Sequence, residues 1–248
     1  LNLNSLGLQN GGADIYLQAE VTDNTCSQTA LSSEVYHLVT HENLQVSASF
    51  GTGSEEVCYN DLAAGSLSMT PSAGRQPSNY SYRWLQANNP SMTGATAISG
   101  ETNASINLST LGNLTGGADI YIQGEVTDVF CSDVQTTASV YHIITWDQLS
   151  ATAITNVGGS STNATVCHLD PLAFDLELAY SGGDTNDSYT FTWEFSSTPN
   201  FASIDSNLVR SNTTILSATD IGVFTDTTYI RCVVSDNCGD NATSQTFI

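Results

Sequence analysis

The sequence contains no lysine, and its only strong cations are four arginines, Arg75, Arg83, Arg210 and Arg231. With 25 acidic residues, the formal net charge is -21. This balance excludes nucleic acid as a partner, because phosphate binding requires clustered basic side chains. The lack of lysine also excludes Lys–Asn isopeptide cross-links, so any covalent staple must come from cysteine.

Long apolar runs are missing as well. No stretch approaches the ~18 apolar residues that indicate a membrane-spanning helix, so we expect no direct membrane insertion. The first ten residues have neither a basic start nor a continuous apolar core, and we expect any export signal to have been removed or to lie outside this sequence. Hydrophobic residues nevertheless make up 40% of the chain, which is enough for buried cores.

An internal repeat organises what is present. The segment GGADIYLQAEVTDNTCS, from Gly11 to Ser27, matches GGADIYIQGEVTDVFCS, from Gly116 to Ser132, at an offset of 105 (116 - 11). A third copy is marked by Tyr229, which answers to Tyr121 at an offset of 108 (229 - 121). A unit of this length is a whole domain rather than a solenoid repeat. We predict a first, truncated repeat at 1–41 and complete second and third repeats at 42–147 and 148–248.

The pattern inside the unit predicts strands. Aromatic and polar residues alternate in Ser-Tyr-Ser-Tyr-Arg-Trp and Ser-Tyr-Thr-Phe-Thr-Trp, and this period of two places the aromatics on one strand face. We therefore expect the core to contain Tyr82, Trp84, Phe191 and Trp193. Short alternating runs separated by Gly, Asn, Asp and Ser are typical of an all-β fold, here tandem immunoglobulin-like β-sandwich domains in a beaded rod.

Cysteine spacing agrees with that fold. Cys58 and Cys167 each precede a core tryptophan by 26 residues (84 - 58 and 193 - 167), and Cys131 and Cys238 follow those tryptophans by 47 and 45. The order Cys, Trp, Cys is an immunoglobulin-like signature. It predicts the disulfides Cys58–Cys131 and Cys167–Cys238, and with them an oxidising, extracellular location.

Two cysteines remain unpaired on this scheme. Cys26 occupies the position of Cys131 in the first repeat, so its partner is expected before Leu1. Cys232 takes the slot held by Ala19 and Gly124, which predicts a small buried residue with a free thiol. Pairing of Cys167 with Cys232 is an open alternative.

No catalytic motif is present: the sequence lacks the HExxH, GxSxG and P-loop spacings. His37 and His142 occupy one repeat position, which favours strand packing over metal ligation. No spacing brings two carboxylates into one cleft, as a glycosidase requires. We therefore expect a protein that is not an enzyme.

The motifs VCYND at 57–61, Tyr-Arg-Trp at 82–84 and YIRCVVSDNCG at 229–239 resemble the Ig-like and PKD-like tandem repeats of giant Bacteroidota cell-surface adhesins. That group includes SprB-like adhesins of gliding motility, which the type IX secretion system exports. The resemblance implies an acidic filament that is attached to the outer membrane and adheres to surfaces or polysaccharides. Its partners would be neighbouring repeats of the same chain and other copies in a filament.

Two kinds of site are candidates. Asp184, Asn186 and Asp187 follow a glycine pair and resemble a calcium loop, since calcium takes 6 to 8 oxygen ligands; the competing interpretation is an ordinary turn. Apart from possible calcium, no cofactor is expected. Tyr16 and Tyr121 point away from the predicted core and are candidate contacts for a glycan.

The function predicted from these observations is a disulfide-stapled spacer with weak multivalent binding to surfaces or glycans. One alternative is a polysaccharide-binding accessory segment of a secreted hydrolase. The other is a homophilic filament subunit stiffened by calcium.

Overall fold

The computed structural model describes residues 2–7, 11–12, 14–50, 53–75, 80–186 and 188–248. Strands dominate these residues, which confirms the all-β prediction. Of the helices in the described ranges, none has the length and apolar character that crossing a membrane requires.

The first repeat forms two small antiparallel sheets after a 3-10 helix at Leu3–Leu6. The strands are β1 Asp14–Leu17, β2 Glu20–Asp23, β3 Gln28–Leu31 and β4 Tyr36–Val39. β1 pairs with β4, and β2 pairs with β3. None of the described residues among 2–41 is buried. Apolar side chains of the β2-β3 sheet, such as Val21 and Leu31, are exposed.

The second repeat contains eleven strands and a 3-10 helix at Leu108–Leu111. The strands are β5 Gln45–Ala48, β6 Ser54–Val57, β7 Asp61–Leu62, β8 Ser66–Ser72, β9 Tyr80–Ala87, β10 Thr96–Ala97, β11 Ser105–Asn107, β12 Asn113–Leu114, β13 Ile120–Asp128, β14 Asp133–Thr136 and β15 Tyr141–Thr145. One sheet has the order β11-β8-β5 and another the order β10-β9-β13-β15-β6, with β14 beside β13. β7 and β12 form a short separate ladder.

The third repeat has the same two-sheet plan. Its strands are β16 Ser150–Asn156, β17 Leu176–Ser181, β18 Thr190–Ser196, β19 Ser206–Ser211, β20 Ile215–Leu216, β21 Tyr229–Ser235 and β22 Asn241–Thr243. The sheets run β16-β17-β20 and β19-β18-β21-β22. A short helix, α1 at Ala218–Ile221, begins after Ser217, whose hydroxyl accepts the backbone N–H of Thr219.

Alternating patterns decide which faces are buried. Along β21, Ile230, Cys232 and Val234 are buried while the residues between them are partly exposed. Phe191 and Trp193 of β18 are buried by the same period, and so is Trp84 of β9; Tyr82 is only half-buried. The Trp193 indole belongs to a core cluster with Leu176 and Leu178 of the three-stranded sheet, as in an immunoglobulin-like sandwich. The fold class is therefore confirmed, and the beaded rod stays a prediction.

Contacts divide the chain into two compact units that are discontinuous in sequence. The first unit comprises Leu1–Gly53, Gly65–Leu108 and Tyr121–His142, and the second comprises Ser54–Ala64, Ser109–Ile120 and Ile143–Ile248. Two segments of the second repeat therefore belong to the same unit as the third repeat. The predicted boundaries at 41/42 and 147/148 stay predictions.

The two core tryptophans differ in one hydrogen bond, and this predicts different sensitivity to substitution. The indole N–H of Trp84 donates to the Asn103 carbonyl at 3.0 Å, whereas the buried Nε1 of Trp193 has no partner among the described residues. Trp84→Phe should therefore cost about 1 kcal/mol more than Trp193→Phe, because only the first leaves a carbonyl without its donor. Hydrogen exchange of β9 and β18 amides measures each loss, and equal losses would contradict this assignment.

Candidate functional site: the cysteine staple and its loops

A disulfide joins Cys58 of the second repeat to Cys238 of the third. The bond has an S–S length of 2.02 Å and a Cα–Cα distance of 5.6 Å, across a sequence separation of 180. Both cysteines lie in the second unit. The predicted pairs Cys58–Cys131 and Cys167–Cys238 are therefore wrong, and so is the alternative Cys167–Cys232, because Cys131, Cys167 and Cys232 are free.

The geometry of the third repeat explains the error. The N–H of Leu169 donates to the Phe224 carbonyl at 2.7 Å, which places the Cys167 loop beside the chain that enters β21. Cys238 follows the other end of β21, a strand of seven residues. Such a strand spans roughly 23 Å, while a disulfide requires Cα atoms within ~7 Å. One repeat therefore holds its two cysteines at opposite ends of a central strand.

The second repeat has the same local arrangement. The N–H of Asn60 donates to the Leu114 carbonyl at 2.7 Å ahead of β13, and Cys131 follows β13. Neither Cys58 nor Cys131 lies on a core-facing strand position, where the immunoglobulin-like signature places its cysteines. The counterpart of that slot on β21 holds Cys232, which is buried and free as predicted. Burial raises the pKa of the Cys232 thiol to about 12.

An aspartate at or directly after the C-terminal end of β2, β13 or β21 accepts backbone hydrogen bonds within each loop that carries a late cysteine, meaning Cys26, Cys131 or Cys238. Oδ1 of Asp128 accepts the N–H groups of Phe130 and Cys131 at 3.0 Å each, and Oδ2 accepts that of Arg75 at 2.7 Å. These hydrogen bonds, that of Arg75 foremost, lower the pKa of Asp128. The late-cysteine loop is thus fixed by a buried carboxylate.

The same aspartate recurs in the other repeats. Asp23 accepts the N–H groups of Thr25 and Cys26, and these bonds lower its pKa. Asp236 accepts the N–H groups of Asp240 at 3.1 Å and Asp184 at 3.2 Å. Asp23, Asp128 and Asp236 therefore share one role, as acceptors of backbone hydrogen bonds.

The predicted calcium loop is partly described. Asp184 is buried and its Oδ1 accepts the Asn186 N–H at 2.9 Å, while Asn186 Nδ2 donates to Oε1 of Glu56 at 3.1 Å. Asp187 lies outside the described residues. Within the described ranges no group of three or more His, Cys, Asp or Glu side chains could hold a metal ion. Calcium binding at this loop stays a prediction.

Three aspartates, Asp61, Asp236 and Asp240, lie in the loops that the staple joins. Asp240 lies two residues after Cys238, and its pKa is raised by burial and by the neighbouring charges of Asp236 and Asp61. The staple is therefore formed in a locally repulsive environment, where a covalent bond holds together loops that carry like charges.

The candidate glycan-binding tyrosines form stacked pairs with histidines. Tyr16 stacks on His37 with ring centroids 4.4 Å apart and an interplanar angle of 7°, and Tyr121 stacks on His142 at 4.4 Å and 4°. Nε2 of His37 also contacts Oδ2 of Asp14 at 3.1 Å. The expectation that these histidines pack within strands is confirmed. Tyr16 remains 63% exposed, so its outer face is open to a ligand.

No family model matches the chain, and no curated protein matches it. Among solved structures it is similar to one described as the structural basis for Dscam isoform specificity, with 14% identity, a TM-score of 0.37, and coverage of 92% of this chain and 52% of that chain. For the N-terminal four Ig domains of Dscam1 isoform 4.4, the values are 13%, 0.38, 92% and 53%. The chain thus spans about half the length of these structures. The fold assignment rests on the strand pairing and the buried indoles described above.

Loss of the staple should destabilise the second unit. The bond closes a loop of 180 residues, for which the loop-entropy model gives about 5 kcal/mol as an upper value. We expect Cys58→Ser to lower the free energy of unfolding by several kcal/mol, as measured by urea denaturation. Cys131→Ser is the matched control at an exposed free cysteine and should change it by less than about 0.5 kcal/mol.

Thiol labelling tests the pairing itself. In unreduced native protein, Cys26, Cys131 and Cys167 should react with iodoacetamide, while Cys232 is protected by burial. Labelling of Cys58, or a peptide linking Cys58 to Cys131, would show that the staple is wrongly placed.

Asp128 should make the first unit sensitive to acid. Its folded pKa is lowered below the unfolded value of about 3.9, so its contribution to stability is present above that value and is lost as the pH falls through the folded pKa. Asp128→Asn should melt at a lower temperature at pH 7, because an amide N–H₂ would face the Arg75 N–H. Its melting temperature should also fall less steeply below about pH 4. The exposed Glu34→Gln should preserve the wild-type profile; an unchanged acid slope in Asp128→Asn would reject this role.

Proposed function

We propose that the chain is a repeat segment of an extracellular adhesive filament, in which disulfides join successive immunoglobulin-like modules. The observation that carries this proposal is the Cys58–Cys238 bond between two consecutive repeats. Disulfides persist in oxidising compartments, which supports an extracellular location. Attachment to the outer membrane, export by the type IX system and a role in gliding follow only from the resemblance of the repeat motifs to Bacteroidota adhesins.

The staple suits a load-bearing spacer. A tensile load on the third repeat would reach the second through a covalent bond as well as through the peptide chain, so the segment between Cys58 and Cys238 would be shielded from extension. A net charge of -21 keeps such a chain soluble and disfavours nonspecific clustering. These properties suit a spacer more than a catalyst, and we propose that the segment is not an enzyme.

Adhesion in this proposal comes from many weak contacts. Tyr16 and Tyr121 occupy the same repeat position and each lies stacked on a histidine, which fixes the ring and lowers the entropy lost when a sugar face stacks on it. Repetition of a weak site along a filament raises avidity by ~10²–10⁴ over a single site. Surface polysaccharides are the proposed ligands.

Binding by the stacked tyrosines can be measured on polysaccharide-coated sensor surfaces. The biotinylated chain presented as a streptavidin tetramer should bind at least ~10²-fold more tightly than the monomer. Tyr16→Ala combined with Tyr121→Ala should abolish that binding. Tyr36→Ala is the matched control, because Tyr36 is a comparably exposed strand tyrosine outside the stacked pairs. If Tyr36→Ala loses as much binding as the double variant, or if the wild-type tetramer does not bind, the adhesive role is rejected. The proposed role as a spacer would then remain.

A further inference from the structure

Cys167 lies exposed at the edge of a cavity in the second unit. The cavity has a volume of about 430 Å³ and is lined by residues 164–168 and 224–228, together with side chains that include Phe247 and Ile248. It is half polar and half apolar in character, with Val166 and Phe224 beside several threonines. Nothing in the proposed binding of polysaccharide uses this surface.

The loop of Cys167 has the backbone conformation of the loop of Cys58. The residue two positions after each cysteine is in the left-handed region, with φ 64° for Asn60 and 66° for Leu169. Each of these residues donates its N–H at 2.7 Å to the carbonyl of a counterpart residue, Leu114 or Phe224. The two loops are therefore equivalent parts of successive repeats.

The equivalent surface in the second repeat is linked to the third repeat. The counterparts of the lining segments are residues 55–59 (164 - 109) and 114–118 (224 - 110), and both belong to the second unit with the third repeat. There Cys58 is bonded to Cys238, and Glu56 accepts a hydrogen bond from Asn186. The same loop is thus bonded to the following repeat in one copy, whereas its cysteine is free and exposed in the next copy.

The loop that would contact such a surface is largely exposed in the first unit, where the Arg75 guanidinium lies over the Phe130 ring at 3.6 Å from its centroid. Val129 and Phe130 are 61% and 62% exposed, and the free Cys131 follows them. This loop is the counterpart of the Asp236–Asp240 loop, which carries the bonded Cys238. Two large apolar side chains next to an exposed thiol match the needs of a surface that becomes buried on docking.

We propose that the cavity beside Cys167 is the docking site for the following copy of this module in the same polypeptide, and that Cys167 forms a disulfide with the late cysteine of that copy. The rule is general for the repeat: the early cysteine of each copy, meaning Cys58 or Cys167, bonds to the late cysteine of the next copy. Under this rule Cys131 bonds to the early cysteine of the preceding copy, just as Cys238 bonds to Cys58 of the second repeat. This inference rests on the proposed function, in which disulfides join successive modules, and it is independent of any ligand that the module binds.

The bond forms by oxidation of two thiols. Each cysteine loses one proton, and the two electrons pass to a disulfide oxidant such as oxidised glutathione, which is reduced to two thiols. One S–S bond forms between the repeats while one S–S bond of the oxidant breaks.

An extended chain tests the rule. The junction follows from the strand pairing. Phe247 lies opposite Ile230 in the third repeat, as Tyr36 lies opposite Leu17 in the first. The next residue, Ile248, therefore corresponds to His37, and at the offset of 105 to His142. A second copy of Ile143–Ile248 is therefore joined directly after Ile248 of the full chain. After oxidation with glutathione disulfide, peptide mapping by mass spectrometry should find Cys167 linked to the copy of Cys238, and Cys58 still linked to Cys238. Iodoacetamide labelling of Cys167, complete in the 248-residue chain, should become undetectable.

The buried thiols report on folding of the added copy. If Cys232 and its copy are both protected while Cys167 is labelled, the proposal is overturned. Disulfide-linked dimers through Cys167 would overturn the proposal that the bond forms within one polypeptide.

A second variant does not depend on the added copy of the third repeat. In it, residues 38–142 are duplicated in place, so that the first Cys58 precedes a copy of Cys131. Linkage of these two cysteines is expected, and a free thiol at the first Cys58 would likewise overturn the rule.

Discussion

Close packing of an indole against a small residue on the neighbouring strand is the constraint on which each sandwich depends. Trp84 lies opposite Gly124 in the ladder of β9 and β13, and Trp193 lies opposite Cys232 in that of β18 and β21. A Cβ on Gly124 would lie 2.8 Å from Sδ of Met69, so a larger residue at this slot of the second repeat requires the Met69 side chain to shift. The backbone N–H at this slot donates to a hydroxyl in both repeats. Gly124 donates to Thr137, and Cys232 donates to Ser244.

That packing holds long central strands in place, and the length of these strands determines which cysteines can come close enough to form a disulfide. β13 has nine residues and β21 has seven, so loops at the two ends of either strand are too far apart for one bond. The early and late cysteines sit in those loops. Cys238 therefore bonds to a cysteine of another repeat, and the disulfide becomes a link between modules instead of a staple within one.

Sequence reasoning succeeded where a periodic pattern reports on one strand. Alternation placed Trp84 and Trp193 in the core, and alignment of the repeats placed Cys232 in a buried slot without a partner. It failed at the disulfides, because the order Cys, Trp, Cys is the same whether the bond closes within a repeat or between repeats. The missed signal was position: Cys58 comes eight residues (66 - 58) before β8, whereas the signature requires a cysteine within a strand that faces the core.

The charge of the chain favours a covalent link at this place. Ionised Asp240 lies near Asp236 and Asp61, and its raised pKa means that its ionisation destabilises the folded arrangement at neutral pH and that protonation relieves this as the pH falls. Contacts such as the Asn186–Glu56 hydrogen bond are individually weak at an exposed surface. Surface contacts alone would hold like-charged loops together poorly. A disulfide confines the unfolded chain as well, so it keeps the repeats joined without requiring the acidic surface to be neutralised.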